Sequence, residues 1–186
     1  MDESALTRRA VQGDMAAWQP LMLAHQEAVF RLAYLLLGDP DDAADVAQET
    51  FVRAWGSLKR FDLSRPLRPW LLHIAANLAS NRRRSAGRYL AALIRTSRIA
   101  TSPTTVEEKS IQHMESRQLW QAVQRLRPSD QQIVYLRYFL DLSVAETAEA
   151  MQVAQGTVKS RLNRALERLR GIIQREFPAF QDRAES

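Results

Sequence analysis

Lys159, Ser160, Asn163 and Arg164 recur at one-, three- and four-residue steps, so on a helix they share an outward face that Arg168 joins a turn later. Ammonium, guanidinium, hydroxyl and amide groups together donate to phosphate oxygens and base edges, the chemistry by which a helix reads a duplex major groove. With Thr157 and Arg161 they form the candidate duplex contacts. Upstream, His73, Asn77, Ser80, Asn81 and Arg84 fall on a second polar stripe that ends in Arg82-Arg83-Arg84. That mixture suits a nucleic-acid backbone with bases within reach. A third set, Asp42, Asp45, Gln48, Glu49 and Val52, is acidic in a basic chain. Each set also has a plainer reading: basic residues solvate a helix face, arginines suit a helix C-terminus and carboxylates an N-terminus.

The elements that position these sets follow from caps and periodicity. Ser143 and Glu146 make an S-x-x-E capping box, and Ala145, Ala148 and Met151 supply small and apolar inward contacts along a short helix to about residue 151. Residues 152–156 break the pattern, after which Val158, Leu162, Ala165, Leu166 and Leu169 define the buried face of a second helix. Ala154 stands near that helix's cap, where a missing Ser or Thr costs about 1 kcal/mol. Capping box, tight break and one-sided basic helix coincide, and together they read as a helix-turn-helix.

Composition narrows the class. The chain has 186 residues, 46% of them hydrophobic, enough for one large or two small domains with a real core. A net charge of +5 and a pI near 10.1 favour a polyanionic partner. Without Cys there is no disulfide framework, thiolate metal site or cysteine nucleophile, and a reducing compartment fits. No apolar run approaches the roughly 18 residues of a membrane span, and the start MDESALTRR is not a secretion signal, so the expected place is the cytoplasm without membrane insertion. His25, His73 and His113 have no partner at ligand spacing, and the chain lacks a P-loop and a nucleophile elbow. No metal, cofactor or enzyme activity is expected. Few Gly and Pro, and no sustained alternating β-branched runs, make the fold all-α.

In order, a short helix over residues 4–12 closes at Gly13, and Asp14 caps a long one carrying Trp18, Leu21, Met22, Val29, Leu32, Ala33 and Leu36. Phe30 and Tyr34, at helical spacing with Trp18, read as core, and Pro20 delays or bends the helix start. Gly38 ends it and Asp39-Pro40-Asp41 opens the next, with Ala47, Phe51, Ala54, Trp55 and Leu58 inward. Residues 60–69 read as a loop because of their two prolines. In the helix that follows, Trp70, Leu71, Ile74, Ala75 and Leu78 face inward. Helical sequence continues to residue 100, and residues 101–105 break it as a linker, with Thr105 and Glu108 as a further capping box. Leu119, Trp120, Val123, Leu126, Ile133, Val134, Leu136 and Phe139 build two more helices separated at residues 127–129, and the end of the chain past Phe177 frays.

Three stretches carry a family resemblance. DDAADVAQETFVRAW resembles the D-A-x-D-x-x-Q-E-x-F-x-x-x-W pattern of region two in bacterial RNA polymerase sigma factors of the extracytoplasmic-function (ECF) group. RPWLLHIAANLASNRRR is similar to that group's R-P-W-L-x-x-I-A-x-N-x-x-x-D-x-x-R, with Asn81 in place of the usual Asp and Leu67 where Phe is common. LSVAETAEAM with GTVKSRLNRALERLR resembles the promoter-reading helix-turn-helix of region four, and QRLRPSDQQIVYLRYFL belongs with it, although Arg127 stands where a basic residue is unusual.

The resemblance covers residues 10–85 and 115–175. It implies two small helical domains: region two over 1–88, a linker over 89–112, region four over 113–177, then a tail over 178–186. It further implies a sigma factor that brings core polymerase, through its beta and beta-prime subunits, to promoter DNA. Asp42, Asp45, Gln48, Glu49 and Val52 would meet the polymerase clamp. Phe61, Asp62, Ser64, His73, Asn77, Asn81 and Arg84 would hold the melted minus-ten strand, with one base in a loop pocket, and the helix-turn-helix would read the minus-thirty-five duplex. Such factors commonly have an anti-sigma partner. The alternative, a helix-turn-helix regulator that binds duplex DNA without polymerase, shares the C-terminal half but has no use for residues 42–55 or the loop before Trp70.

Overall fold

Local capping by a side chain accounts for where four of the helices begin. In the computed structural model, which describes residues 2–96 and 111–176, α1 spans Glu3–Val11 and α2 spans Met15–Leu37. Asp2 accepts from the Ser4 N–H, and Asp14 from the N–H groups of Ala16 and Ala17, as N-cap carboxylates do for donors that lack partners within the helix. Gly38, at φ 77°, closes α2 by donating to the Tyr34 carbonyl at 2.8 Å, a left-handed cap that favours glycine. Pro20 lies inside α2 and neither delays its start nor ends it. So near the N-terminus, a proline forgoes just one bond back to the first turn.

Asp39 caps α3 (Pro40–Ser57), its carboxylate accepting from the Asp42 N–H at 2.8 Å, and a 3-10 turn, Leu58–Arg60, follows. α4 spans Leu67–Thr96, so the loop expected over residues 60–69 ends earlier than its prolines suggested. Pro69 falls in the first turn, where a missing N–H costs little. In the C-terminal half, α5 spans Ile111–Gln124 and α6 Pro128–Val134, which runs into a π turn at Tyr135–Phe139. α7 spans Val144–Met151, and after a short turn α8 spans Gln155–Glu176. The linker at 101–105, the Thr105–Glu108 box and the tail lie outside the described residues.

Two aromatic groups anchor the halves. Trp18 on α2 meets Phe51 edge-on at 6.2 Å and Trp55 at 5.8 Å, tying α2 to α3. Trp120 stacks on Tyr135 at 5.8 Å and meets Phe139 at 6.0 Å, tying α5 to the π turn. Tyr135 is fully buried, which pushes its phenol up to about 12, and Gln124 Nε2 donates to its oxygen at 3.1 Å. Phe30 and Tyr34 are not core. They are 38% and 42% exposed and stack on each other at 6.3 Å, because α2 turns Val29, Leu32 and Ala33 inward instead. Leu119 and Ala145, also expected inside, are exposed.

The fold is all-α, with two helical regions that pack against each other chiefly through α4 and α7. Their buried side chains form one continuous apolar cluster, from Trp18 and Leu71 to Leu136 and Ala148. Among the described residues no helix is long and apolar enough to cross a membrane.

Candidate nucleic-acid interface

The acidic stripe lies on α3. Asp45, Gln48, Glu49 and Val52 are exposed and Asp42 half-buried, while Ala43, Val46, Ala47, Thr50, Phe51 and Ala54 are buried behind them. The stripe is already partnered. Arg82 of α4 lies 2.6 Å from Asp42 Oδ1 and 2.9 Å from Asp45 Oδ2, and Arg53 pairs with Glu49 one turn along α3 at 2.6 Å. All of these groups are partly solvated, so the pairs screen the stripe without removing it.

The loop before α4 is built around Asp62, whose Oδ1 accepts from the Ser64 N–H at 2.9 Å and its hydroxyl at 2.8 Å. Those bonds hold the Asp62 carboxyl below the usual carboxylate range. Asp62 and Ser64 are exposed, whereas Phe61 is 9% exposed with its ring 4.8 Å from Trp70. Phe61 therefore supports the loop from below and does not present its ring. Beside the loop lies a cavity of about 490 Å³ whose other wall is α1, through Ser4, Thr7 and Arg8.

On α4 the polar stripe is ordered from within. His73 Nδ1 lies 2.9 Å from the Ala150 carbonyl, and Asn77 Nδ2 lies 2.9 Å from His73 Nε2. A carbonyl only accepts and an amide N–H only donates, so the proton belongs on Nδ1 and Nε2 is the acceptor. Farther along, Arg84 donates to Asn81 Oδ1 at 2.5 Å.

The third stripe lies on α8. Val158, Ala165, Leu169 and Ile172 are buried, with Leu162 and Leu166 half-buried beside them, as the spacing predicts. Lys159, Ser160, Arg161, Asn163 and Arg164 are exposed, and Thr157 is half-buried. Ahead of α8, Ser143 Oγ accepts from the Glu146 N–H at 3.1 Å while Glu146 accepts from the Ser143 N–H at 2.8 Å, the reciprocal capping box of α7. Gln152, at φ 55°, makes the turn. Arg168 differs from its neighbours: it bonds Asp130 of α6 at 2.7 Å, a carboxylate with only 9% of its side chain exposed.

Comparison with known proteins then decides the family. The family model "Sigma-70 region 2" matches residues 21–89 and "Sigma-70, region 4" matches 116–169. The ECF RNA polymerase sigma factor SigL of Mycobacterium tuberculosis is 32% identical over 169 residues, covering 88% of this chain and 95% of SigL. The chain belongs to the ECF sigma factors. It directs RNA polymerase to promoters and is not itself an enzyme. The fold of this sigma factor is also that of CnrH, solved in complex with the cytosolic domain of CnrY, at 23% identity, TM-score 0.69, 94% of this chain and 99% of that one. It is likewise that of the sigma factor RpoE from Bartonella quintana, solved with the anti-sigma factor NepR, at 24% identity, TM-score 0.62, 85% and 97%.

In this sigma factor His73, Asn77, Asn81 and Arg84 share α4, the helix that follows the Asp62–Ser64 loop, and the basic stripe is carried by α8. The structure makes four further residues central, Arg65, Arg68, Arg82 and Asp130, of which the sequence singled out only Arg82, as part of the Arg82-Arg83-Arg84 cluster. Arg68 had a signal, since it heads the R-P-W motif. The partners of the other three carried no local signal, because they lie 37 to 84 residues away in the chain.

Proposed function

We propose that this sigma factor divides promoter recognition among its three stripes. The acidic face of α3 docks on a basic surface of core polymerase formed by the beta and beta-prime subunits. The loop at Asp62–Ser64 and the α4 stripe through Asn77 take the melted minus-ten strand. α7 and α8 act as a helix-turn-helix that reads the minus-thirty-five duplex. The observation that carries this reading is the exposure, on one all-helical scaffold, of an acidic, an amide-rich and a basic stripe, each backed by its own buried apolar face.

The physical logic is that opening a duplex costs about a few kcal/mol per unstacked base. A protein lowers that cost by holding one strand open through stacking and phosphate contacts. Two recognition elements on one chain add by effective concentration, so each is weak alone and selective together. An anti-sigma factor is a further partner in this reading, supported by the fold shared with a sigma factor solved with NepR.

Reconstitution with core polymerase, followed by run-off transcription on genomic fragments, tests the assignment. Initiation at a defined set of fragments is expected. Initiation from none, with polymerase shown to be active alongside another sigma factor, would overturn it.

A further inference from the structure

The strip of α4 that follows the Asp62 loop is occupied from within. Arg65 reaches Glu149 of α7 through both Nε and Nη2, the Nε contact at 2.6 Å. Arg68 Nη2 donates to the Leu140 carbonyl at 2.8 Å, and His73 Nδ1 to the Ala150 carbonyl at 2.9 Å. Arg65 at the end of the loop and Arg68 and His73 in the first turns of α4 are thus taken by a carboxylate and two backbone oxygens. The acceptors come from one patch of the C-terminal half, the end of α7 and the residue after the π turn. A helix C-terminus carries unpaired carbonyls and partial negative charge, so Glu149 and Ala150 at the end of α7, with the Leu140 carbonyl, offer one carboxylate and two partially negative oxygens where a nucleic-acid backbone offers phosphates.

We propose that Arg65 and Arg68 bind phosphates of the captured single strand, and that Glu149 with the Leu140 and Ala150 carbonyls fills their place when the two regions are packed together. This inference rests on the strand-capturing role of α4. Three features favour it. Guanidinium forks bind carboxylate and phosphate with the same geometry, so the contact that holds Glu149 is one a phosphate can replace. Arg65 lines the cavity between α1 and the loop, which gives a base somewhere to go when its phosphate lies on that guanidinium. His73 positions Asn77 through Nε2 while its other nitrogen is held by α7, so packing of the regions and presentation of the stripe share one imidazole. Strand capture and the packing of α7 on α4 are then mutually exclusive.

Two substitutions that break the same pair separate this from a purely structural bridge. The full-length chain is titrated with fluorescent single-stranded oligothymidylate, a probe of phosphate binding that needs no promoter sequence, and its dimensions are followed by small-angle scattering. Both Glu149→Gln and Arg65→Gln should expand the molecule. Glu149→Gln should tighten strand binding about three- to tenfold by removing the internal competitor. Arg65→Gln should weaken it about tenfold and flatten the salt dependence by about 0.7 in log–log slope, one phosphate contact on a single strand. Arg65→Lys should recover part of the loss, and circular dichroism should show all three folded. Strand affinity that moves the same way in both glutamine variants, or in neither, would overturn the inference. Run-off transcription by the unmodified protein tests the strand-capturing role separately, so the two failures are distinguishable.

Discussion

The two regions hold their candidate contacts in opposite states. On α8, Lys159, Arg161 and Asn163 are exposed without polar partners among the described residues, and Arg164 bonds only Ser160 of its own helix. In the N-terminal region almost every candidate is engaged: Asp42 and Asp45 by Arg82, Glu49 by Arg53, Asp62 by Ser64, and Asn77 by His73. In the proposed division of roles, α8 enters a preformed groove with side chains already free, whereas the loop and α4 hold an unstacked strand with Asp62 and Asn77 already fixed, which avoids an ordering cost of about 0.5–1.5 kcal/mol each.

The largest expected effect tests the engaged region. Asp45→Arg or Glu49→Arg should reduce retention by core polymerase about 100-fold with an unchanged circular dichroism spectrum, since like charges facing each other across an interface cost several kcal/mol. Polymerase retained at the unmodified level by both variants would make the stripe a solvated face that Arg82 and Arg53 merely neutralise.

On α8 the contrast lies between a free and a tethered arginine. Arg164→Ala should cost about 1–3 kcal/mol of duplex binding and relax preference at one base pair, whereas Arg168→Ala should weaken all sequences alike. The Arg168–Asp130 bond gives the second effect a cause other than a phosphate contact, namely the seating of α8 on α6. Removing Arg168 leaves a nearly buried carboxylate alone, so a loss of about 1–2 kcal/mol of stability should accompany it. Asp130→Asn discriminates: it should weaken binding if Arg168 positions the helix, and leave it unchanged or tighter if Arg168 only anchors phosphate. Binding isotherms on single-base-pair variants at several salt concentrations measure both.

Asn77→Ala should slow open-complex formation about tenfold, roughly 1.4 kcal/mol, while closed binding persists. A promoter with its minus-ten segment already mismatched should restore most of the rate. Equal defects on paired and mismatched templates would place Asn77 outside the opening step.

The smallest effect concerns a buried group away from all three stripes. Burial lowers the pKa of His25 below its ordinary 6.5, only partly offset by Glu3, whose Oε1 lies 3.5 Å from Nε2. The unfolded chain then binds a proton that the folded one resists, so stability is complete above about pH 6.5 and falls as pH drops through the window beneath it. His25→Gln should flatten that acid limb in chemical denaturation. An unchanged limb would assign the acid sensitivity to other groups.

Much of the site could be read without coordinates because its signals are local. The buried face of α8 and the outward set at Lys159, Ser160, Asn163 and Arg164 follow from three- and four-residue spacing alone. The stripes of α3 and α4 separate in the same way. Local spacing failed where a face had to be chosen by what packs on it. Phe30 and Tyr34 share helical spacing with Trp18, yet only the neighbours of α2 decide that Trp18 goes in and the pair stays out. Phe61, expected in the strand-holding loop by resemblance, is buried with its ring 4.8 Å from that of Trp70, a packing that spacing does not reveal.

By itself the sequence determined the caps and the helices they start, from Asp14, Asp39 and the Ser143–Glu146 box to the turn at Gly38. A cap is a bond between residues two or three apart, so its energy is set before the chain is folded. Tertiary structure alone decided that α7 lies on α4, that Arg65 finds Glu149 84 residues away, that Arg82 bridges two carboxylates of α3, and that Asp130 seats Arg168. Each of those pairs forms only after loops of many residues have closed. The closure is driven by the shared apolar cluster, and the polar partners are chosen by where that cluster brings them.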